Sequence, residues 1–262
     1  QQQDKLTGIE MKPETRPIYA KAAEEILDLP QLGNKKMFNV EECAKADPDV
    51  VFLPVSLESY VEELEALDIP VVLLEPETAD DFEEAVEIIG EDKVDEYKQY
   101  EEDLLEKYEL DEVEDEPTVY FAGSDLLTCA TDDMYQGEIL SYAQADNAID
   151  AEGSSWVNID IETLLAANPD YVFIEAGSLS ADDFKNDARV QELQAVQNDH
   201  VYVFPSTLET WDTPSLSSCL GKLWAASILH PELISMDDVE AEAVAFYEQF
   251  YGFTPEAQDL AL

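Results

Sequence analysis

Residues 40–53 read VEECAKADPDVVFL, and residues 161–174 read IETLLAANPDYVFI. At one constant offset Glu41 matches Glu162, Ala46 matches Ala167, Pro48-Asp49 matches Pro169-Asp170, and Val51-Phe52 matches Val172-Phe173. Each copy predicts a helix, a Pro-Asp stop and a short buried strand. The helix must end ahead of the proline, because the residue preceding Pro is pushed out of the α region. A continuous apolar run such as VVFL suits a strand covered on both faces, as in a parallel sheet.

Working outward, each copy leads into a further helix and a further apolar strand. SLESYVEELEALDI precedes PVVLLEP in the first half, and SADDFKNDARVQELQAV precedes HVYVFP in the second. Strands alternating with helices predict an α/β fold with right-handed crossovers, and one such unit per half predicts two similar lobes. Between them, residues 91–116 place Val94, Tyr97, Tyr100, Leu104, Leu105 and Tyr108 at three- and four-residue spacing, with no Gly or Pro. That pattern predicts a long amphipathic helix, stiff where a linker would be flexible. The expected organisation is an N-terminal α/β lobe at 1–90, a connecting helix at 91–116 and a C-terminal α/β lobe at 117–262. The second lobe opens on TVYFAG (118–123), continues through a helix around 135–145, and closes with helices at 215–229 and 237–252. Asp237 or Asp238 is placed to cap the last of these, and Gly252 to end it.

Composition narrows the function. The 262 residues fit one large domain or two small ones, and 45% hydrophobic content is enough for a sizeable core. Lys and Arg number 13 against 62 Asp and Glu, a net charge of −49. Cations this scarce in so negative a field exclude a nucleic-acid partner. The acids run along the whole chain, so they read as solvated surface rather than an acidic tail. No apolar run is long enough to span a membrane. The opening QQQDKLTGIE has no signal peptide, as a mature or trimmed chain would not, so it does not argue for the cytoplasm. Cys43, Cys129 and Cys219 form no CxxC pair; Cys43 and Cys219 lie in apolar helical stripes and read as buried thiols. His200 and His230 have no ligating partner at i+3 or i+4, so no metal site is expected. GxSxG, P-loop, GxGxxG and HExxH motifs are all lacking, and no catalytic residue is assigned.

Several segments carry a family likeness. They are DKLTGI near the start, NVEECAKADPDVVFL, LEALDIPVVLL with Asp68 where Gly is usual, VYVFPSTLETWDTPSLSSCLGKLWAASILHPEL, and FYEQFYGF. In this order and spacing the chain resembles the solute-binding proteins of ABC importers for iron–siderophore complexes, haem and cobalamin. The resemblance implies two Rossmann-like lobes with parallel sheets, joined by a long rigid α-helix, with a ligand cleft between the lobes. It also implies a strand and helix ahead of DKLTGI, which this sequence does not show. Ligand contacts from that first loop are therefore not assigned.

In open α/β sheets ligands bind at the C-terminal ends of the strands. That edge is supplied by 34–37, 54–56 and 75–78 in the first lobe, and by 124–127, 175–178 and 207–211 in the second. The candidate ligand contacts are Lys36, Ser56, Ser124, Tyr135, Trp156, Ser178, Thr210 and Trp211. Lys35-Lys36 is an adjacent pair in a cation-poor chain. Ser56, Ser124 and Ser178 either cap the helices that follow or present hydroxyls to a ligand. Large aromatics suit flat conjugated or chelate ligands, though Trp156, Trp211 and Tyr135 also have a plain packing reading. The resemblance further implies a carboxylate on each lobe that docks onto permease arginines, and Glu58 and Asp212 sit at those positions.

The expected role is non-catalytic: a monomeric extracytoplasmic receptor, touching the membrane only through a lipid anchor, that passes cargo to an ABC permease. No resident cofactor is expected. Anionic siderophores or molybdate would call for clustered arginine, yet only Arg16 and Arg189 exist. The cargo expected is therefore an iron complex, haem or a corrinoid. The alternatives are an oxyanion-binding protein of the same fold, a chelatase-like enzyme, and an extracellular interaction protein that has lost its ligand.

Overall fold

The structure, a computed structural model, describes residues 3–75, 79–108, 110, 113, 116–151, 153 and 155–262. The chain divides into two compact units, Gln1–Pro76 with Tyr251–Phe253, and Glu77–Phe250 with Thr254–Leu262.

The first unit holds five short strands, β1 (Ile9–Glu10), β2 (Gln31–Asn34), β3 (Met37–Phe38), β4 (Val51–Pro54) and β5 (Val71–Leu74), with helices α1 (Pro17–Ala22), α2 (Val40–Ala46) and α3 (Val61–Glu65). β1 runs parallel to β2, and β2 turns back antiparallel into β3 through Lys35 and Lys36. β4 and β5 form a separate two-stranded parallel sheet. The N-terminus of α2 is closed by Asn39, whose side-chain oxygen accepts from the Glu42 N–H, and the helix stops at Asp47 in the left-handed region. Val40, Cys43, Val51, Leu53, Leu57, Leu64 and Ile69 form the core. Asp68 is left-handed too, with φ 62°, which is why glycine suits this turn. The expectation of a first-copy strand covered on both faces is corrected here. Val51 and Leu53 are buried while Phe52 is 39% exposed, so the core of the first unit covers one face of β4 and leaves the Phe52 side open among the described residues.

The second unit begins with α4 (Ala79–Lys107). This helix starts earlier than the apolar spacing alone predicts, and the predicted end at 109–116 falls largely outside the described residues. Lys98 pairs with Glu83 and Glu87, partners too far back to be reached along a straight helix rising 1.5 Å per residue. Six strands follow: β6 (Thr118–Ala122), β7 (Thr128–Cys129), β8 (Asp146–Asn147), β9 (Val157–Asn158), β10 (Tyr171–Ile174) and β11 (Val201–Val203). They order as β11-β10-β6-β7-β9, with β8 also on β6; β10 is parallel to both its neighbours, and β7 is antiparallel to β6 and β9. The second repeat copy is α6 followed by β10, after α5 (Tyr135–Tyr142) and β9 in the chain. α6 (Ile161–Ala167) is capped by Asp160 and ends on left-handed Asn168, and Val172, Phe173 and Ile174 of β10 have no exposed surface.

Helices α7 (Ala181–Asn186), α8 (Gln194–Gln197), α9 (Ser218–Leu229) and α10 (Met236–Phe246) complete the unit, with a last turn, α11 (Ala257–Leu260). α9 buries Cys219, Leu220, Leu223, Ala225 and Ala226 completely. The cap of α10 is Ser235 rather than Asp237 or Asp238; Asp238 supplies the reciprocal half of the capping box. α10 passes into a single π turn at Tyr247–Tyr251 before Gly252, which has φ 76°. Tyr97 and Tyr100 of α4 pack edge-on against Phe250. No described helix is long and apolar enough to cross a membrane.

Candidate functional site

The strands of the second unit end in three loops, and the backbone ties them together. β6 runs into Gly123, whose bare Cα is covered by Trp156. A Cβ at that position would lie 2.6 Å from the indole Cε3, so any larger residue would have to push the half-buried ring aside. The Ser178 hydroxyl, from the loop after β10, donates to the carbonyls of Gly123 at 3.1 Å and Glu175 at 2.7 Å. Ser178 therefore caps no helix; Ser180 caps α7. Ser124 and Asp125 are exposed beside it, and Asp125 fixes its own loop by accepting from the Leu127 N–H. Ser124, Trp156 and Ser178 thus meet around one glycine.

The third loop, after β11, is more deeply set than the sequence implies. Trp211 is 2% exposed; its Nε1–H donates to the Tyr247 hydroxyl at 3.2 Å, and its carbonyl rests on Gly221 of α9, where no Cβ fits. Trp211 is a packing residue, which corrects its assignment as a ligand contact. Tyr135 is corrected in the same way: it is 1% exposed at the start of α5, with the Lys222 ammonium 5.5 Å from its ring centroid. Lys222 is itself held by Glu101 at 3.5 Å. Thr210 is half-buried and shares a 2.6 Å hydrogen bond with the Thr213 hydroxyl.

Asp212 is corrected most sharply. Its side chain has no exposed surface, so it cannot be a surface carboxylate that docks onto a partner protein. One oxygen, Oδ2, accepts from the Ala176 N–H at 2.8 Å, and the Gln136 side chain donates to the Asp212 carbonyl at 2.7 Å. Oδ1 is buried with no hydrogen-bond partner. Burial, opposed by the N–H groups of Ala176 and of Asp212 itself and aided by the charge of Glu175, pushes the carboxyl up to about 6.

In the first unit the hairpin turn and the segment after β4 are joined. The Ser56 hydroxyl donates to the Lys35 carbonyl at 3.1 Å, and the Lys36 N–H donates to the Asn34 side-chain oxygen at 2.9 Å. Lys36, Ser56 and Glu58 are all exposed. Beside them lies a concavity of about 480 Å³, lined by Met11, Leu32, Met37, Phe38 and Tyr60 among others. The sequence does not announce it: its walls come from four separate stretches of the chain, and the Phe38–Tyr60 edge contact at 5.9 Å links two of them.

Charge and donor chemistry limit what these loops can hold. Both arginines are spent on nearby acids, Arg16 on Glu10 at 3.1 Å and Arg189 on Asp187 at 2.7 Å; the latter pair holds Asp187 down at about 2. Among the described residues no group of three or more His, Cys, Asp or Glu is placed to hold a metal ion. His200 stacks on Tyr171 at 4.4 Å, and buried His230 bonds to the Ala143 carbonyl at 2.8 Å. All three cysteines are free and buried, and burial raises each thiol.

The fold has counterparts of known structure. A periplasmic solute binding protein from Veillonella parvula is similar to the chain with a TM-score of 0.82, at 20% identity, covering 97% of this chain and 82% of the other. MolA of Haemophilus influenzae, solved with molybdate and described as the cognate binding protein of an ABC transporter, superposes with a TM-score of 0.80 at 20% identity over 97% of this chain and 89% of MolA. By sequence, MolA is 23% identical over 267 residues, 89% of this chain and 75% of MolA. CeuE of Helicobacter pylori, solved with Ni(II) bound, gives 0.74 at 18% identity over 98% of this chain and 87% of CeuE. The sequence profile of the periplasmic binding protein family matches residues 1–208, a span that takes in both repeat copies and the loops after β6 and β10, and the chain is a member of that family.

Proposed function

We propose that this protein is the extracytoplasmic substrate-binding component of an ABC importer, a monomer that captures an iron complex, haem or corrinoid and delivers it to a membrane permease without catalysing a reaction. One observation carries the choice of cargo: the half-buried Trp156 indole lies on Gly123 beside exposed Ser124 and the Ser178 loop. A flat indole wall with neutral hydroxyls suits a conjugated or chelated ligand of low charge. Asp125 and Glu175 flank this surface, which disfavours a bare anion. Lys36 and Ser56 are proposed as contacts from the first unit, and Thr210 as a further contact from the second. Exposed Glu58 is proposed as a permease-docking carboxylate. A second reading, oxyanion binding, is favoured by the similarity to molybdate-bound MolA.

Thermal melts with haemin, a cobalamin, a ferric chelate and molybdate separate the readings. A ligand at 1,000 times its Kd stabilises by about 4 kcal/mol, which is several degrees of Tm. The expected result is a rise with one of the metal complexes, and Trp156→Ala should weaken that complex by roughly tenfold. A rise with molybdate alone that survives Trp156→Ala moves the protein to the second reading. No rise with any of them, or turnover in porphyrin metallation, overturns the proposal.

A further inference from the structure

The indole of Trp156 and the bare Cα of Gly123 meet between two backbones that are each held by bonds of their own. The Gly123 N–H donates to the Thr128 carbonyl at 2.7 Å, and its carbonyl accepts from the Ser178 hydroxyl. Directly after Trp156, Val157 pairs with Cys129 in the ladder between β7 and β9. Shortly before it, the Gly153 N–H donates to Asp133 Oδ2 at 2.9 Å, and the Gly153 carbonyl accepts from the Thr131 hydroxyl. With the main chain tied on both sides of Trp156, the ring keeps its side-chain torsions as its freedom.

Glycine at 123 serves space rather than backbone conformation. Gly123 lies outside the left-handed region that Gly177 and Gly252 occupy, so an alanine there would meet no backbone strain. Gly137 and Gly221 face main-chain carbonyls, those of Asp132 and Trp211. The three atoms nearest to a Cβ at 123 instead all belong to the six-membered ring of the Trp156 indole, Cε3 at 2.6 Å, Cζ3 at 2.8 Å and Cδ2 at 3.2 Å. Relief to ordinary carbon–carbon contact takes roughly 1 Å of ring movement. Phe121, two residues before Gly123 and so on the same side of the strand, is fully buried, 6.3 Å from the indole and stacked on Phe204 at 5.2 Å. Close-packed aromatics of this kind resist displacement, so the half-buried indole would move toward solvent. We propose that Gly123 is the positioning residue of the second-unit site: its missing side chain lets the Trp156 indole lie recessed, and so sets the depth open to a flat ligand on that wall. The bearing on cargo rests on the reading that Trp156 is a ligand contact.

Fluorine NMR of the ligand-free protein, labelled with 5-fluorotryptophan, tests the placement of the ring. The chain has three tryptophans, and Trp156→Phe identifies the signal of residue 156. Gly123→Ala should shift that signal and raise its response to exchanging H2O for D2O, while the signal of Trp211, held by Tyr247 and Gly221, stays in place. A general loosening would move both. Gly123→Ala should also lower Tm when Trp156 is present and leave it unchanged in a Trp156→Ala background, where the ring that the methyl group meets is gone. An unmoved 156 signal, equal shifts at 156 and 211, or a Tm loss that persists without the indole overturns the proposal.

Haemin, a cobalamin and a ferric chelate, titrated against the same variants, carry the test to cargo. Gly123→Ala should weaken the complex that wild type binds by roughly three- to tenfold, and should cause no further loss once Trp156 is alanine. Equal losses in both backgrounds overturn the action of Gly123 through the indole. Binding of none of the three defeats the cargo reading, and the role in ligand depth with it, while the ligand-free spectra still decide the ring's placement, so the two failures are told apart.

Discussion

β4 and β10 carry almost the same residues, Val51-Phe52-Leu53 and Val172-Phe173-Ile174, behind the same Pro-Asp turn, yet they end in different surroundings. β10 lies between β6 and β11 and is buried on both faces, whereas among the described residues β4 pairs with β5 alone and leaves Phe52 exposed. The residue pattern determines that a strand forms; the number of strands and layers beside it determines what the strand contributes to stability. The Phe173 ring meets Phe121, Tyr202, Phe204 and Trp224.

The sharpest test of this contrast is truncation at the matched phenylalanines. Phe173→Ala should cost about 3–5 kcal/mol, the usual range for emptying a fully buried aromatic site, and Phe52→Ala about 1 kcal/mol, since much of that ring is already in water. Denaturant melts of the two variants measure both, and equal losses would break the comparison.

The helix caps give a smaller effect. Asn39→Ala should remove about 1 kcal/mol at any pH, as a neutral cap does. Asp160 caps the second copy as a carboxylate, and the Thr163 hydroxyl and N–H hold its titration below the usual value. A depressed carboxylate stabilises the fold above its unfolded value and loses that contribution as pH falls through its folded one. The penalty of Asp160→Ala should therefore be present at neutral pH and fade in acid, while that of Asn39→Ala should not. Melts at neutral and acid pH check the difference.

The smallest effect separates the helix ends. Asp47→Gly should stabilise by about 0.5 kcal/mol, because glycine adopts the left-handed cap without steric cost. Asn168→Gly should gain nothing, since the Asn168 side chain also accepts from the Gln194 N–H at 2.9 Å. Matching Tm shifts for the two substitutions would show that this bond contributes nothing.

Much of the architecture was legible in the sequence because it is local. Pro48 and Pro169 mark the helix stops, apolar runs mark the strands, and repetition marks the two halves. Side-chain environment was not legible. The segment ETWDTPS looks like an exposed polar loop, and only the packing of Gly221 beneath Trp211 and of Gln136 against Asp212 draws it inside. Glu58 and Asp212 look alike as acids in a chain with 62 of them, yet one is exposed and the other has no surface. The role of Gly123 was equally hidden, because the indole that requires it lies more than thirty residues later in the chain.

The placement of the thiols has a practical consequence. Cys43 sits in the core of the first unit, and Cys129 and Cys219 lie in the second, all three shielded from solvent. An alkylating reagent can reach each sulfur only when its own surroundings come apart. Labelling resolved by peptide mass therefore clocks the breathing of the two halves independently, with no engineered probe.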